Sequence, residues 1–140
     1  MAVTLRVELV VPDGEIWSGE ARMVIAKTLE GDLGVLTGHP SVLGILAEGG
    51  VVQILDPQRA SGGDGAPGET VQAAVSSGFL SVHDDRVSIL ARQAELGHEV
   101  DQAAVRAELD AALAEVAPDQ PESPEVRYSR ARLRAAGDGS

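Results

Sequence analysis

No cysteine occurs in the 140-residue chain, so disulfides, thiolate metal sites and a cysteine nucleophile are excluded. Aromatics are nearly missing as well: Trp17, Phe79 and Tyr128 are the complete set. The interior must therefore be built from Val, Leu, Ile and Ala, which are plentiful enough to offset the entropy of ordering a fold. Basic side chains are scarce, 11 against 22 acids for a formal charge of −11. That balance argues against nucleic acid as a partner, because neutralising phosphates takes clustered Lys and Arg. No run of about 18 apolar residues exists, so direct membrane insertion is not expected. The start, Met-Ala-Val-Thr-Leu-Arg-Val-Glu, lacks the basic and apolar regions of an export signal, which leads to the expectation of a cytoplasmic protein.

What is present falls into two halves with different periods. From Thr4 to about Ala91, Leu5, Val7, Leu9 and Val11 open a series of alternating or short apolar runs. Further strands are predicted at Glu15–Trp17, Arg22–Lys27, Val51–Leu55, Thr70–Val75, Gly78–Val82 and Arg86–Ala91, with turns at Pro12-Asp13-Gly14, Ser18-Gly19 and His83-Asp84-Asp85. Many short strands with frequent glycines predict an antiparallel sandwich or barrel over residues 1–95. Pro57 to Gly68 is almost pure turn composition and reads as an exposed, mobile hairpin loop. A phosphate cradle there lacks both the following helix and a Gly-Lys-Ser/Thr.

Beyond Gly97 the apolar positions Val100, Ala104, Val105, Leu109, Ala112, Leu113 and Val116 recur at three and four residues, the stripe of a helix. Asp101 complements its dipole, and Pro118, Pro121 and Pro124 end it. A second helix is predicted over Glu125–Ala136, with Ser123 as N-cap, Pro124 at the first position and Gly137 as the stop. Residues 96–140 thus form a C-terminal α-helical hairpin, whose narrow, alanine-rich stripe suits reversible docking. Arg127, Arg130, Arg132 and Arg134 stand within eight residues that hold no acid. They read either as a solvated helix face or as a basic patch for an acidic surface or phosphate.

Reactive chemistry has few candidates. His39, His83 and His98 are isolated, with no second ligand at metal spacing, and the serines lack a nucleophile elbow. Asp84-Asp85, at a hairpin tip, is too exposed for tuned acid–base work. No catalytic, metal or cofactor site is expected. The feature that asks for explanation is Glu30 to Pro40, where three glycines among apolar residues predict a tight corner with Asp32 at its tip.

The run Gly31-Asp32-Leu33-Gly34-Val35-Leu36, followed by Gly38-His39 and Leu43, resembles the signature loop of the epsilon subunit of F-type ATP synthases. Ser77-Gly78-Phe79-Leu80-Ser81-Val82 with Arg86-Val87-Ser88-Ile89-Leu90-Ala91 is similar to the family's second block, and the resemblance extends over essentially the whole chain. It implies an N-terminal antiparallel β-sandwich over residues 1–95 followed by the C-terminal α-helical hairpin. It also implies a noncatalytic rotor subunit, peripheral at the cytoplasmic face of the cell membrane, that couples proton flow to ATP synthesis. Its implied partners are the gamma subunit and the c-ring, with the alpha/beta catalytic ring as a further one. Asp32 matches the acidic residue facing the c-ring and His39 the gamma-facing histidine; Leu33, Gly34, Gly38 and Leu43 complete the implied subunit interface. In many relatives the hairpin extends toward the catalytic ring and blocks ATP hydrolysis, which opens an inhibitory role here. Thr37 stands where the family has proline, and Ala104 replaces the arginine of the nucleotide motif beginning at Val100-Asp101. A free-standing β-sandwich adaptor and a nucleotide-sensing protein are the alternatives.

Overall fold

The computed structural model describes residues 4–55, 58–59, 70–115 and 121–137. Alternation in the sequence becomes strand wherever one face can be buried. Strand β1 (Leu5–Val11) turns Leu5, Val7 and Leu9 inward and Arg6 outward. It is followed by β2 (Gly14–Ala21), β3 (Met23–Thr28), β4 (Gly31–Leu36), β5 (Val42–Ile45), β6 (Gly50–Leu55), β7 (Gln58–Arg59), β8 (Thr70–His83) and β9 (Arg86–Leu96). A 3-10 turn at Gly97–Glu99 leads to helices α1 (Gln102–Ala114) and α2 (Pro124–Ala135).

Strand order runs β4-β3-β6-β8-β9-β1-β2-β7, with β5 also paired to β8. The long β8 and β9 serve both layers of the sandwich. Thr70–Val75 of β8 pairs with β6, whereas Phe79–Val82 pairs with β5, and β9 follows β8 along the other edge throughout. The crossing passes Gly78, whose φ is 157°. A Cβ there would collide with the carbonyl oxygen of Leu90, so only glycine lets the two backbones come this close. Behind the crossing the layers share one core: Leu9, Trp17, Val24, Val35, Leu46, Ile54, Leu80 and Ile89 are essentially inaccessible.

Several expectations change in detail. β1 and β9 pair in parallel, Val7 opposite Val87 and Leu9 opposite Ile89, while the other ladders are antiparallel. Ser18-Gly19 is no turn: both lie inside β2, with Gly19 opposite Val7. The corner expected at Gly31–Leu36 is a strand, because Leu33 and Val35 face inward while Asp32, Gly34 and Leu36 face out. Its turn falls earlier, at Leu29–Glu30, where the Thr28 hydroxyl donates to the Gly31 carbonyl oxygen at 2.7 Å. Asp32 therefore sits beside the tip, paired across strands with Lys27. Of the Pro57–Gly68 loop only Gln58–Arg59 is described, as a short strand on β2; the rest lies outside the described residues, as do Val116 and Pro118.

Asp84 and Asp85 do take the tight turn, at φ 49° and 60°. Asp85 also works as a tie. Its carbonyl accepts from the Arg6 N–H at 2.8 Å, and its carboxylate accepts from the Gly38 N–H at 2.7 Å. The helix caps follow the sequence signals: Asp101 accepts from the Ala104 N–H at 3.1 Å and Ser123 from the Val126 N–H at 3.2 Å.

Gly78→Ala should lower unfolding stability by on the order of 2–4 kcal/mol, because the collision is with backbone and cannot relax by a rotamer change. Thermal or urea unfolding checks this, and a midpoint equal to the parent's would contradict the account of the crossing.

Candidate functional site

Two surfaces stand out once the fold is assembled. The first lies on the outer face of the layer formed by β5, the second half of β8, the first half of β9, and β1. Ile45 is opposite Phe79, Phe79 is opposite Leu90, and Leu90 is opposite Val10, so one cross-strand row runs over four strands. The turn between β3 and β4 extends it, since the Leu29 N–H donates to the Ile45 carbonyl oxygen at 2.9 Å. Leu43, two residues from Ile45 on the same face, widens it. Exposures of 68% for Leu29, 70% for Leu43, 60% for Ile45 and 46% for Phe79 make this the main uncovered apolar surface among the described residues. Scattered leucines on a surface need no explanation, but a contiguous row does. Ser81, Ser88 and Glu8 lie alongside and give it a polar margin.

The second surface is the seat of α2 on the opposite layer. Ala131 and Ala135 pack on Ala74, with Val51 and Tyr128 at the edge. Two glycines let the helix come close: a Cβ on Gly49 would meet the Arg127 backbone at 2.5 Å, and one on Gly97 would strike the Ala135 carbonyl oxygen. The helix α1 rests on α2, joining Val105 and Leu109 to Val126 and Leu133. Burying those two α1 side chains contributes about 2 kcal/mol each.

The arginines fasten this arrangement. Arg132 donates to Glu95 of β9 at 2.6 Å and to Glu108 of α1 at 3.1 Å, and its guanidinium lies 5.6 Å from the Tyr128 ring centre. Arg127 reaches Glu48 at 3.3 Å, Arg130 reaches Glu122 at 2.7 Å, and Arg134 donates to the Gly49 carbonyl oxygen at 2.9 Å. For Arg127 and Arg132 the acids missing from the local sequence thus arrive from other elements, whereas Glu122 stands just ahead of α2. Exposed pairs of this kind are worth under about 1 kcal/mol each; Arg132, the most enclosed of the four, holds two partners at once. Burial pulls the Arg132 pKa down, but Glu95 and Glu108 outweigh it and raise the value.

Among the described residues no group of three or more His, Asp or Glu side chains is placed to hold a metal ion, and no helix is long and apolar enough to cross a membrane. Residues 4–97 match the family described as ATP synthase, Delta/Epsilon chain, beta-sandwich domain. The chain belongs to the ATP synthase delta/epsilon family. It is 48% identical over 139 residues to the ATP synthase epsilon chain of Thermobifida fusca, covering 97% of this chain and 96% of that one. The Streptomyces coelicolor epsilon chain is 43% identical over 136 residues, covering 97% and 98%. Among solved structures, a chain of the Euglena gracilis mitochondrial ATP synthase, in a structure of OSCP/F1/c-ring, shares the fold with a TM-score of 0.66 at 22% identity, covering 99% of this chain and 82% of that one.

Within this delta/epsilon chain the residues singled out by sequence are spread along β4 and its exit. Asp32, Leu33 and Gly34 lie at the Lys27 end of β4. Gly38 and His39 follow its other end, where the half-buried His39 donates from Nδ1 to the Pro40 carbonyl oxygen at 2.7 Å. Leu43 alone joins the apolar row. Ile45, Phe79 and Leu90 escaped notice as site residues, although Ile45 and Phe79 occupy outward positions in strands whose other face is plainly apolar. That alternation was the available signal. His83 is more than a turn edge: its Nδ1 lies 2.9 Å from the Ser41 hydroxyl and its Nε2 3.1 Å from Asp84.

Tyr128 offers a pH test of the α2 seat. Burial raises its pKa above the ordinary 10.0, with Arg132 partly opposing and Glu95 adding to the rise. A folded value above the unfolded one means the neutral phenol stabilises docking below about pH 10, and that this contribution is lost as pH climbs through the folded value. Because Tyr128 is the only tyrosine, phenolate absorbance reads it alone. The titration should shift down toward 10 when residues 98–137 undock in mild denaturant, and Tyr128→Phe should flatten the alkaline loss of thermal stability.

Proposed function

We propose that this chain is a noncatalytic rotor subunit of a proton-translocating ATP synthase, peripheral at the cytoplasmic face of the cell membrane. Its sandwich holds the gamma subunit and rests on the c-ring, so that rotation passes between them. The observation that carries this reading is the uncovered row Leu29, Ile45, Phe79 and Leu90. A soluble domain keeps such a row exposed when a partner covers it. A rigid two-layer sheet behind the row suits torque, because a close-packed core transmits load without deforming.

Asp32 with Leu33 and Gly34 forms the c-ring contact, and Gly38, His39 and Leu43 belong to the gamma contact. The separation supports two partners: the six residues of β4 span about 20 Å, which places Asp32 and His39 at opposite ends of the strand. Curated relatives named ATP synthase epsilon chain, matched over nearly their whole lengths, support membership of the complex. A structural neighbour at a TM-score of 0.51 comes from the central stalk and c-ring of Tetrahymena thermophila mitochondrial ATP synthase, at 20% identity. The hairpin regulates. Docked, Arg127, Arg132 and Arg134 are occupied by Glu48, Glu95 and the Gly49 carbonyl of the sandwich; released, these three become available to acidic surfaces of the alpha/beta ring and restrain ATP hydrolysis, while Arg130 keeps Glu122, which travels with the helix.

Phe79→Asp puts an unpaired charge in the centre of the row while leaving the core untouched, so the variant should fold normally and lose binding to gamma by at least 100-fold. Retained affinity would remove the row from the interface. Ending the chain after Gly97 should leave assembly intact and raise ATP hydrolysis of the membrane-bound complex severalfold; an unchanged rate would remove the inhibitory role and leave coupling standing.

A further inference from the structure

We infer that Asp85 is the residue that positions the Gly38–His39 segment for its partner, an inference that rests on the gamma contact proposed above. The stretch from Thr37 to Ser41 links β4 to β5 without helix or strand of its own. Its own bonds are local: the His39 N–H donates to the Leu36 carbonyl oxygen at 3.2 Å, and the His39 ring reaches the next residue's carbonyl. Two side-chain bonds arrive from another element, and both come from the turn between β8 and β9. The Asp85 carboxylate accepts from the Gly38 N–H at 2.7 Å, and the His83 Nδ1 lies 2.9 Å from the Ser41 hydroxyl. His39 and Pro40 stand between these two anchors.

The turn goes against local preference to make this bond. His83 and Arg86 pair across a two-residue loop in which Asp84 and Asp85 both take positive φ, 49° and 60°. Such a loop favours Asn or Asp at its first position and glycine at its second. Aspartate tolerates positive φ better than most residues, yet at a backbone cost that glycine avoids. Strain of this kind persists where the side chain is needed, and the Asp85 side chain is spent on a residue 47 positions away. Glycine would close the same hairpin and leave the Gly38 N–H without its charged acceptor. The turn is itself held in place: the Arg6 N–H donates to the Asp85 carbonyl oxygen at 2.8 Å, and β1 runs beside β9 from that point. His39 is thus presented from a fixed frame, so binding has less ordering left to supply.

Two substitutions in the full chain test this. Asp85→Gly should speed exchange of the Gly38 amide at least tenfold and weaken gamma binding at least tenfold, with the amides of β1 and β9 staying within threefold of the parent. Asp85→Asn keeps an acceptor oxygen and tolerates positive φ, so it should hold exchange and affinity within threefold of the parent. His39→Ala serves as the reference for the contact itself and should weaken gamma binding tenfold or more. If His39→Ala weakens binding and Asp85→Gly does not, the positioning role is overturned while the gamma contact stands. If His39→Ala leaves affinity unchanged, the segment lies outside the gamma contact and the inference falls with that contact. Unaltered Gly38 exchange in Asp85→Gly, or exchange raised equally in β1 and β9, would also overturn it.

Discussion

Everything in this molecule depends on the passage of β8 beside β9 at Gly78. A side chain at that point would drive the strands apart, and with them the two layers that β8 and β9 jointly supply. Because both strands cross from one layer to the other, the sandwich has a single core and not two sheets that could slide. The same passage decides what lies outside. Past Gly78 the outward positions of β8 and β9 begin with Phe79 and Leu90, and β5 adds Ile45 and Leu43 in register. A rigid interior and an uncovered apolar row are thus consequences of one piece of strand geometry.

The hairpin is attached by a different physics. The sandwich is held by fully buried Val, Leu and Ile at close-packed density. The helices are held by alanines, two glycine approaches and arginine pairs that solvent partly screens. Each bond is modest, and together they give a docked state that can be left without disturbing the core. Exposing Ala131 and Ala135 costs far less than exposing leucines would, which is what a reversible seat needs. An acidic chain with its arginines gathered on one short helix is consistent with that use: acids already on β9, α1 and the segment before β6 occupy the guanidiniums when the helix is down.

Much of this was legible in the sequence, for reasons that differ by element. The change from period two to periods of three and four separates strands from helices because burial on one face imposes each period. Ser123-Pro124 placed the start of α2 because cap and proline act locally. The strand Gly31–Leu36 was hidden, since its glycines mimic turn punctuation and only the pairing with β3 reveals the inward Leu33 and Val35. The parallel contact of β1 with β9 was equally out of reach, because residues some 80 positions apart carry no local mark of their partnership. Arg132 joins Glu95 and Glu108, 37 and 24 residues away, so an arginine cluster that looked unpaired along the chain is paired in space. The row across Ile45, Phe79 and Leu90 likewise exists only after three strands are laid side by side.

The central claim is that this row is the surface the rotor shaft covers. Backbone hydrogen exchange of the chain, alone and with the gamma subunit bound, tests it directly. The account predicts protection confined to Gly38–His39, Val42–Ile45, Phe79–His83, Arg86–Leu90 and the Leu29 turn, with the outward face of β3, β4 and β6 unchanged. Protection concentrated on β3, β4 and β6, with Ile45 and Phe79 exchanging as in the free chain, would contradict it.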